Sequence, residues 1–142
     1  LKSKNKKINI GLADPMGACM YSFFKDGELK SEGSSITEGI GQGRVTENIK
    51  GMSVDIPFRV KDSEALTILY DLIEKEGLFL GLSSGINIAG AKKLAKSLGK
   101  GKTIVTILCD LANRYQGKMF NAGFLEENNL PIPSWLSYVQ KN

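Results

Sequence analysis

Two stretches of the chain carry apolar residues at the spacing of an amphipathic helix. The first starts at Asp62 or Ser63, either of which can cap it, and ends at Gly77. Its apolar positions are Leu66, Leu69, Leu72 and Ile73. The second opens at the turn 83–85 and runs to about Leu98, with apolar positions Ile88, Ala91, Leu94, Ala95 and Leu98. A shorter helical face, before the turn at Asp26-Gly27, consists of Met20, Phe23 and Phe24.

Four shorter apolar runs predict strands. Residues 7–13 alternate Ile8, Ile10 and Leu12 and stop at Pro15, and residues 54–60 contain Pro57, which is typical of an edge strand. Residues 78–82 lead directly into the second long helix, and residues 103–109 form a continuous apolar run, as in a strand buried on both faces. Strand, helix and strand in this order make a parallel unit. The predicted fold class is therefore α/β, with three layers around a mostly parallel sheet.

In parallel sheets, ligands bind beyond the carboxyl ends of the strands. Three predicted strand ends, at Ala13-Asp14, Ser83-Ser84 and Cys109-Asp110, therefore point to one crevice that includes Asp110. The turn Ser83-Ser84-Gly85 brings two hydroxyls to a helix N-terminus, where unpaired N–H groups favour polar or anionic ligands. The alternative is that Ser84 is only the N-cap of the helix.

Composition narrows the chemistry that this crevice can perform. The 142 residues are enough for one domain, and they contain 42% hydrophobic and 24% charged residues. The net charge of +4 includes four lysines in the first seven positions, so a nucleic-acid partner is not expected. No apolar run approaches the roughly 20 residues that span a bilayer, and no signal peptide is evident, which predicts a cytoplasmic protein without membrane contact. The chain has no histidine, so its chemistry must depend on a cofactor or on residues supplied from elsewhere.

The segment 31–51 is rich in glycine and lacks a clear period, which predicts a loop. Its G-I-G-Q-G stretch, at 39–43, is not a dinucleotide fingerprint, because Arg44 replaces the third glycine and no strand leads into it. Residues 130–142 contain Pro131 and Pro133 and are predicted to form an extended tail that packs Trp135 on the domain or on a partner.

Several segments in one order are informative together. They are A-D-P-M-G, S-E-G-S-S-I-T-E-G-I-G-Q-G-R, L-G-L-S-S-G-I-N and I-V-T-I-L-C-D followed by N-R-Y-Q-G-K-M-F. This set resembles the carboxyl-terminal part of cysteine synthase (O-acetylserine sulfhydrylase), a family that belongs, with cystathionine β-synthase, to the pyridoxal-phosphate enzymes of fold type II. The resemblance covers nearly all of residues 5–136, so it implies that residues 1–142 are the later half of the large domain of such an enzyme.

The resemblance also implies an activity and a set of site residues. The expected reaction is a β-replacement with pyridoxal 5'-phosphate as cofactor, in which O-acetylserine loses acetate and gains sulfide to form L-cysteine. Ser83 would hydrogen-bond the pyridine nitrogen of the cofactor, within a cofactor-binding turn of Ser83, Ser84 and Gly85. A serine there makes the pyridine ring a weaker electron sink than a carboxylate would, which suits elimination. The glycine loop Gly39, Ile40 and Gly41 would face the substrate side.

The family's Schiff-base lysine and phosphate-binding loop lie upstream of the matching region, and no lysine here matches that position. No catalytic residue is therefore assigned. Three hypotheses remain open. The chain is an inactive fragment of a cysteine synthase, one piece of an enzyme that needs its amino-terminal half as a partner, or a non-catalytic module that binds a peptide such as the serine acetyltransferase carboxyl terminus. The resemblance further implies a homodimer in the complete enzyme.

Overall fold

Two parallel strands form the sheet in the part of the chain that the structure describes. The structure is a computed structural model that describes the backbone of residues 1–139 and the side chains of residues 1–136. Strand β1 (Gly11–Pro15) pairs with β2 (Ile56–Val60) in a register that runs from Gly11 opposite Ile56 to Pro15 opposite Val60. The predicted α/β class with a parallel sheet is confirmed.

Each strand contains one proline, and the ring nitrogen of each, which carries no hydrogen, faces away from the partner strand. The Ile10 carbonyl accepts from Ile56 N–H at 3.3 Å and the Met16 N–H donates to Val60 O at 3.2 Å, so the even-numbered residues of β1 bond to β2. Pro15 is an odd-numbered residue, and its ring nitrogen points to the other edge of β1. The strand thus ends at Pro15, as predicted, although it begins at Gly11 rather than at residue 7. The edge character of the Pro57 strand is confirmed among the described residues.

Three helices pack around this pair of strands. Helix α1 (Met20–Asp26) ends at Gly27, which adopts a left-handed φ of 79°. Helix α2 (Asp62–Glu76) ends at Gly77, and α3 spans Leu82–Leu98. All three helices were predicted. The N-cap of α2 is Lys61 rather than Asp62 or Ser63, and its N–H donates to the Glu64 carboxylate at 3.1 Å.

Two glycines let α3 approach its neighbours closely. A Cβ on Gly90 would lie 2.5 Å from the Cβ of Ala13 in β1, and one on Gly85 would lie 2.8 Å from Leu69 Cδ1 in α2. The resulting core has two clusters. The larger joins α2 to the later part of the chain and includes Leu66, Leu69, Leu82, Met119 and Leu125, and the smaller consists of Val60, Ala65, Ile86 and Ala89.

The predicted strands 78–82 and 103–109 are not present. Leu80 forms one isolated antiparallel bridge with Leu111, and α3 already begins at Leu82. The run 103–109 has no strand partner in the described residues and is exposed, with Val105 at 86% and Ile107 at 66%. The parallel strand-helix-strand unit was therefore wrong for this chain. The reason is physical: an apolar run becomes a buried strand only when another strand pairs with it.

Short helical segments close the described chain. A 3-10 turn (Ala112–Tyr115) continues into α4 (Gln116–Met119), which is followed by α5 (Ala122–Glu127) and α6 (Ser134–Val139). The predicted extended tail is thus helical at its centre, and residues 140–142 lie outside the described residues. Trp135 packs edge-on against Tyr70 with ring centroids 5.7 Å apart, so the tail lies on its own domain. Within residues 1–139, no helix has the length and apolar character needed to cross a bilayer.

The exposed run predicts that the isolated chain binds apolar dyes and self-associates. Burying a side chain of this kind contributes about 1.5–3 kcal/mol, so covering several of them is a substantial driving force. The double variant V105T/I107T should lower both dye fluorescence and light scattering, with little change in the unfolding midpoint. The single variant L29T, at an apolar position that is 49% exposed elsewhere, is the matched control and should lower them less. A wild-type chain that stays monomeric and binds no dye would contradict this prediction.

Candidate functional site

The two serines of the S-S-G turn lie inside the first turn of α3. The N-cap is Gly81, which has no side chain that could cap the helix. The interpretation of Ser84 as the N-cap was therefore wrong. Ser84 is fully buried, and its Oγ accepts a hydrogen bond from the Cys109 N–H at 2.9 Å. Ser84 therefore fastens the end of the run 103–109 to the start of α3.

Ser83 points to a different partner, the carboxylate of Asp110. The Ser83 Oγ donates to Asp110 Oδ1 at 3.1 Å, and the Tyr115 hydroxyl donates to Asp110 Oδ2 at 2.7 Å. The backbone is joined at the same place, because Gly81 N–H donates to the Asp110 carbonyl at 2.9 Å. Asp110 thus connects the beginning of α3 to the 3-10 turn that follows the run.

Asp110 affects the pKa of the Tyr115 hydroxyl, which is bonded to it. Burial, the hydrogen bond to Asp110 and the negative charge of Asp110 together raise the pKa of Tyr115 to about 12. The hydroxyl of Tyr115 therefore keeps its proton, and its role as a donor to the carboxylate, throughout the neutral range.

Glycine is required on both sides of the two serines. A Cβ on Gly81 would collide with the Asp110 carboxylate and with the Tyr115 ring, and Gly85 is held against Leu69. These glycines are accounted for by packing within the chain. The motif G-L-S-S-G therefore combines two steric requirements with two hydroxyls that have separate partners.

The loop Gly39, Ile40 and Gly41 packs on the segment that follows β1. Gly39 and Gly41 adopt left-handed φ values of 71° and 86°, and a Cβ on Gly41 would lie 2.9 Å from both Ala18 Cβ and Pro15 Cγ. Ile40 packs against the smaller core cluster, which includes Ile86 of α3. A cavity of about 330 Å³ lies between this loop and the segment after β1.

Two charged residues far away in sequence hold the same loop. The carboxylate of Asp62 accepts from Ser35 Oγ at 2.5 Å and from Ile36 N–H at 2.8 Å. The ammonium of Lys118 donates to Ile36 O at 2.9 Å and to Glu38 at 2.5 Å. The hydrogen bond from Lys118 lowers the pKa of the Glu38 carboxyl. The loop is thus attached to the first turn of α2 and to α4.

Asp14, the third predicted contributor to the crevice, takes a separate partner. Its buried carboxylate accepts the Tyr21 N–H at 2.8 Å and so satisfies a free amide at the start of α1. Burial raises the pKa of Asp14 despite this bond and the nearby charge of Arg59. The structure therefore joins two of the three predicted strand ends, those at Ser83-Ser84 and Cys109-Asp110.

Sequence reasoning missed Tyr115, Lys118 and Asp62 as parts of this region. Tyr115 and Lys118 belong to the stretch N-R-Y-Q-G-K-M-F, which carried the resemblance without any role being assigned to its side chains. Asp62 was interpreted as a helix cap. An acidic residue at the start of a helix ordinarily indicates a cap. Hydrogen bonds from such a residue to a loop that is distant in sequence produce no recognisable local pattern.

Comparison with known proteins shows one family. A family model described as "Pyridoxal-phosphate dependent enzyme" matches residues 1–110. The chain is similar to Cysteine synthase 1 of Neurospora crassa, with 43% identity over 129 residues that cover 87% of this chain and 34% of the relative. It is also similar to the Cysteine synthase of Dictyostelium discoideum, with 37% identity, covering 93% of this chain and 38% of the relative. The chain therefore spans about a third of the length of the relatives it matches.

Solved structures of the same fold agree with this result. The crystal structure of the O-acetylserine dependent cystathionine β-synthase from Helicobacter pylori has a TM-score of 0.72 and 28% identity, covering 83% of this chain and 36% of that protein. The crystal structure of O-ureido-L-serine synthase has a TM-score of 0.71 at 20% identity, covering 85% of this chain and 37% of that protein, and shows likeness of fold alone.

The bond between Ser84 and Cys109 gives a prediction about local stability. Ser84→Ala removes one acceptor, which should cost about 0.5–1.5 kcal/mol and should speed hydrogen exchange at the Cys109 amide. Ser83→Ala is the matched control, since it removes the neighbouring hydroxyl and leaves the Cys109 amide bonded. Equal exchange of that amide in wild type and Ser84→Ala would show that the bond does not hold the run.

The raised pKa of Tyr115 predicts how stability depends on pH. Because its folded pKa of about 12 exceeds the reference value of 10.0, the folded state retains the proton. This contribution to stability is complete below pH 10 and is lost as the pH rises toward 12. Tyr115→Phe should therefore flatten the decline in the free energy of unfolding across this range, as measured by urea unfolding. A decline in Tyr115→Phe that is as steep as in the wild type would refute the assignment.

Proposed function

The chain belongs to the pyridoxal-phosphate dependent enzyme family, and we propose that it is the part of a cysteine synthase that holds the pyridine end of the cofactor. The relatives that it matches include cysteine synthases at 43% and 37% identity, and the matched segment is about a third of each. The proposed activity of the complete protein is the formation of L-cysteine from O-acetylserine and sulfide. The observation that carries the proposal is the buried hydroxyl of Ser83, oriented by Asp110 at the start of α3.

The residues at the start of α3 fit one end of the cofactor. Ser83 is only 6% exposed, and its Oγ uses its proton in the bond to Asp110, which leaves its lone pairs available to a ligand. We therefore assign Ser83 to the pyridine nitrogen and the buried backbone of Ser84 and Gly85 to the wall behind it.

Asp110 decides the direction of the Ser83 hydroxyl. A carboxylate accepts hydrogen bonds and cannot donate, and Tyr115 already donates to its second oxygen. Ser83 consequently holds its proton toward Asp110 and presents an oxygen acceptor to the ligand. A pyridine nitrogen bound there would therefore have to be protonated, so that it could donate a hydrogen bond to Ser83. In this arrangement, the negative charge of Asp110 acts on the ring through Ser83.

The glycine loop is proposed to border the substrate. Ile40 and Gly41 line a cavity of about 330 Å³, and the side chains of Asp62 and Lys118 hold the residues that precede Gly39. Backbone amides at glycine positions can approach a small anion closely, because no Cβ stands in the way. The carboxylate of an amino-acid substrate is the kind of group that such a loop would bind.

The bound cofactor would supply the electron sink that allows acetate to leave and sulfide to add. The remaining requirements, a lysine that binds the cofactor and a site for its phosphate, are proposed to come from the rest of the enzyme. Lys93 and Lys118, two half-buried lysines, are engaged by Glu64 and Glu38. We propose that this chain is inactive by itself and that the complete enzyme is a homodimer.

A chimera tests the proposed function. The matching third of Neurospora crassa Cysteine synthase 1 is replaced by this chain, so that one polypeptide carries both parts. The chimera should bind pyridoxal 5'-phosphate with visible absorbance and form cysteine from O-acetylserine and sulfide.

The isolated chain, reduced with borohydride in the presence of the cofactor, should show no stoichiometrically labelled lysine. An isolated chain that is labelled at one lysine and forms cysteine would refute the proposed inactivity. A chimera that binds a serine acetyltransferase carboxyl-terminal peptide but no cofactor would favour the binding-module alternative.

Variants of the chimera test the assigned roles. Ser83→Ala should weaken cofactor binding by roughly ten- to 150-fold, equivalent to about 1.5–3 kcal/mol for a hydrogen bond that involves a charged group. Ser83→Asp should change the visible spectrum more strongly. Asp110→Asn should shift the spectrum too, because an amide can donate to Ser83 and reverse its hydroxyl. Ser84→Ala is the control and should leave the spectrum unchanged. A spectrum altered by Ser84→Ala but by none of the other variants would mean that the two hydroxyls have been assigned in the wrong order.

A further inference from the structure

Three consecutive backbone amides of the glycine loop have no partner within the described residues. The N–H groups of Gly39, Ile40 and Gly41 take part in no hydrogen bond there, whereas the chain is bonded directly before and after them. After the loop, the Gln42 carbonyl accepts from the Cys19 N–H at 2.9 Å. Successive free N–H groups can surround an anionic group of a ligand. Where these donors lie therefore depends on the bonds at the two ends of the span.

The last bonded contact before the free amides is made by Lys118. Its ammonium donates to the Ile36 carbonyl at 2.9 Å and to the Glu38 carboxylate at 2.5 Å. Glu38 directly precedes Gly39 in the sequence. Asp62 bonds to the Ile36 N–H at 2.8 Å, which is on the far side of Ile36 from the glycines. Lys118 is therefore the side chain that fixes the chain where it enters the loop.

The backbone that carries Lys118 is itself fixed in the core. The next residue, Met119, is fully buried, and its carbonyl accepts from the buried Tyr70 hydroxyl at 2.7 Å. Tyr115, one helical turn before Lys118, is also buried and bonds to Asp110. The base of the Lys118 side chain therefore cannot shift independently of the core, which makes Lys118 a rigid support for the loop.

The two bonds of Lys118 contribute unequally to this support. The Glu38 side chain is 66% exposed, and an exposed ion pair contributes little by itself. The Lys118 side chain is only 30% exposed, and its bond to the Ile36 carbonyl holds the backbone directly. We therefore expect the loop to depend more on the bond to Ile36 than on the pair with Glu38.

We propose that Lys118 is a positioning residue, which holds the free amides of the glycine loop where the amino-acid substrate binds. The proposal rests on the proposed function, in which this loop borders the substrate. Without Lys118, the loop would sample other positions, and the apparent affinity for substrate would fall in proportion to the fraction of molecules in which the loop is correctly placed. The cofactor end of the site would be unaffected, because Ser83 has its own bond to Asp110.

The test uses the chimera with Neurospora crassa Cysteine synthase 1. Lys118→Met keeps most of the length of the side chain and removes both bonds. It should raise KM for O-acetylserine by on the order of ten-fold, as expected for loss of a hydrogen bond from a charged donor, while kcat and the cofactor spectrum stay unchanged. Glu38→Gln should raise KM less, because the bond to Ile36 remains. Lys118→Arg, which keeps a charged donor, should restore most of the lost affinity.

A second measurement needs neither cofactor nor substrate. Hydrogen exchange at the amides of Ile36 and Thr37 should be roughly ten-fold faster in Lys118→Met, in the isolated chain as well as in the chimera. Lys75→Met is the matched control, since it removes an exposed ion pair with Asp71 on α2 and should change neither exchange nor KM. The Ile36 side chain still packs against the larger core cluster, so Lys118→Met should keep its unfolding midpoint nearly unchanged.

Three results would overturn the proposal. Unchanged exchange at Ile36 and Thr37 in Lys118→Met would show that Lys118 does not hold the loop. Faster exchange with an unchanged KM, in an active chimera, would show that the position of the loop does not govern substrate binding. A joint loss of kcat, cofactor binding and unfolding midpoint would make Lys118 a general support of the fold. A chimera that binds no cofactor would contradict the proposed function, and the substrate role would fall with it, whereas the exchange measurement would still decide whether Lys118 holds the loop.

Discussion

The close approach of α3 to two neighbours at once is the constraint on which the rest of the structure depends. Gly90 allows the helix to rest on Ala13 of β1, and Gly85 allows it to rest on Leu69 of α2. A methyl group at either position would push α3 outward, and the serines of its first turn would move with it. Because Ser83 and Ser84 bond to Asp110 and Cys109, the seating of this helix also determines where the run 103–109 lies. The site and the core are therefore parts of one packing arrangement.

The helices could be predicted from sequence because their signals are local. Leu66 and Leu69 repeat at helical spacing, and Gly77 marks the end of α2 at a left-handed φ of 66°. The run 103–109 is a different case. Its apolar composition indicates that it should be buried, but it does not show which residues bury it. Burial of a strand is a property of its partners, and the partners are not encoded in the run itself. Pro15 shows the same limit: which edge its missing N–H faces depends on the pairing, and the pairing depends on residues about 45 positions away.

The hydroxyls and the glycine loop of the candidate site could be proposed from the sequence, whereas the groups that orient them could not. Ser83 and Asp110 are separated by 27 residues, and their contact follows from the return of the chain after α3. Tyr115 then occupies the second oxygen of the same carboxylate. This second bond changes the interpretation of Ser83. A serine alone can donate or accept, whereas a serine facing a carboxylate that is already held by a tyrosine has its donor committed. In the proposed role of Ser83, the electronic character expected from a lone hydroxyl would therefore be modified by two residues that lie outside the motif.

The glycine loop has two attachments of unequal character. Asp62 is 9% exposed and bonds to a hydroxyl and a backbone amide, whereas the Lys118–Glu38 pair reaches the surface, with the Glu38 side chain 66% exposed. Dissolved ions screen an exposed pair much more effectively than a buried bond. Ionic strength therefore acts on only one end of the loop. High salt should therefore weaken the contact at Glu38, while the bonds to Asp62 and the packing of Ile40 keep the rest of the loop in place.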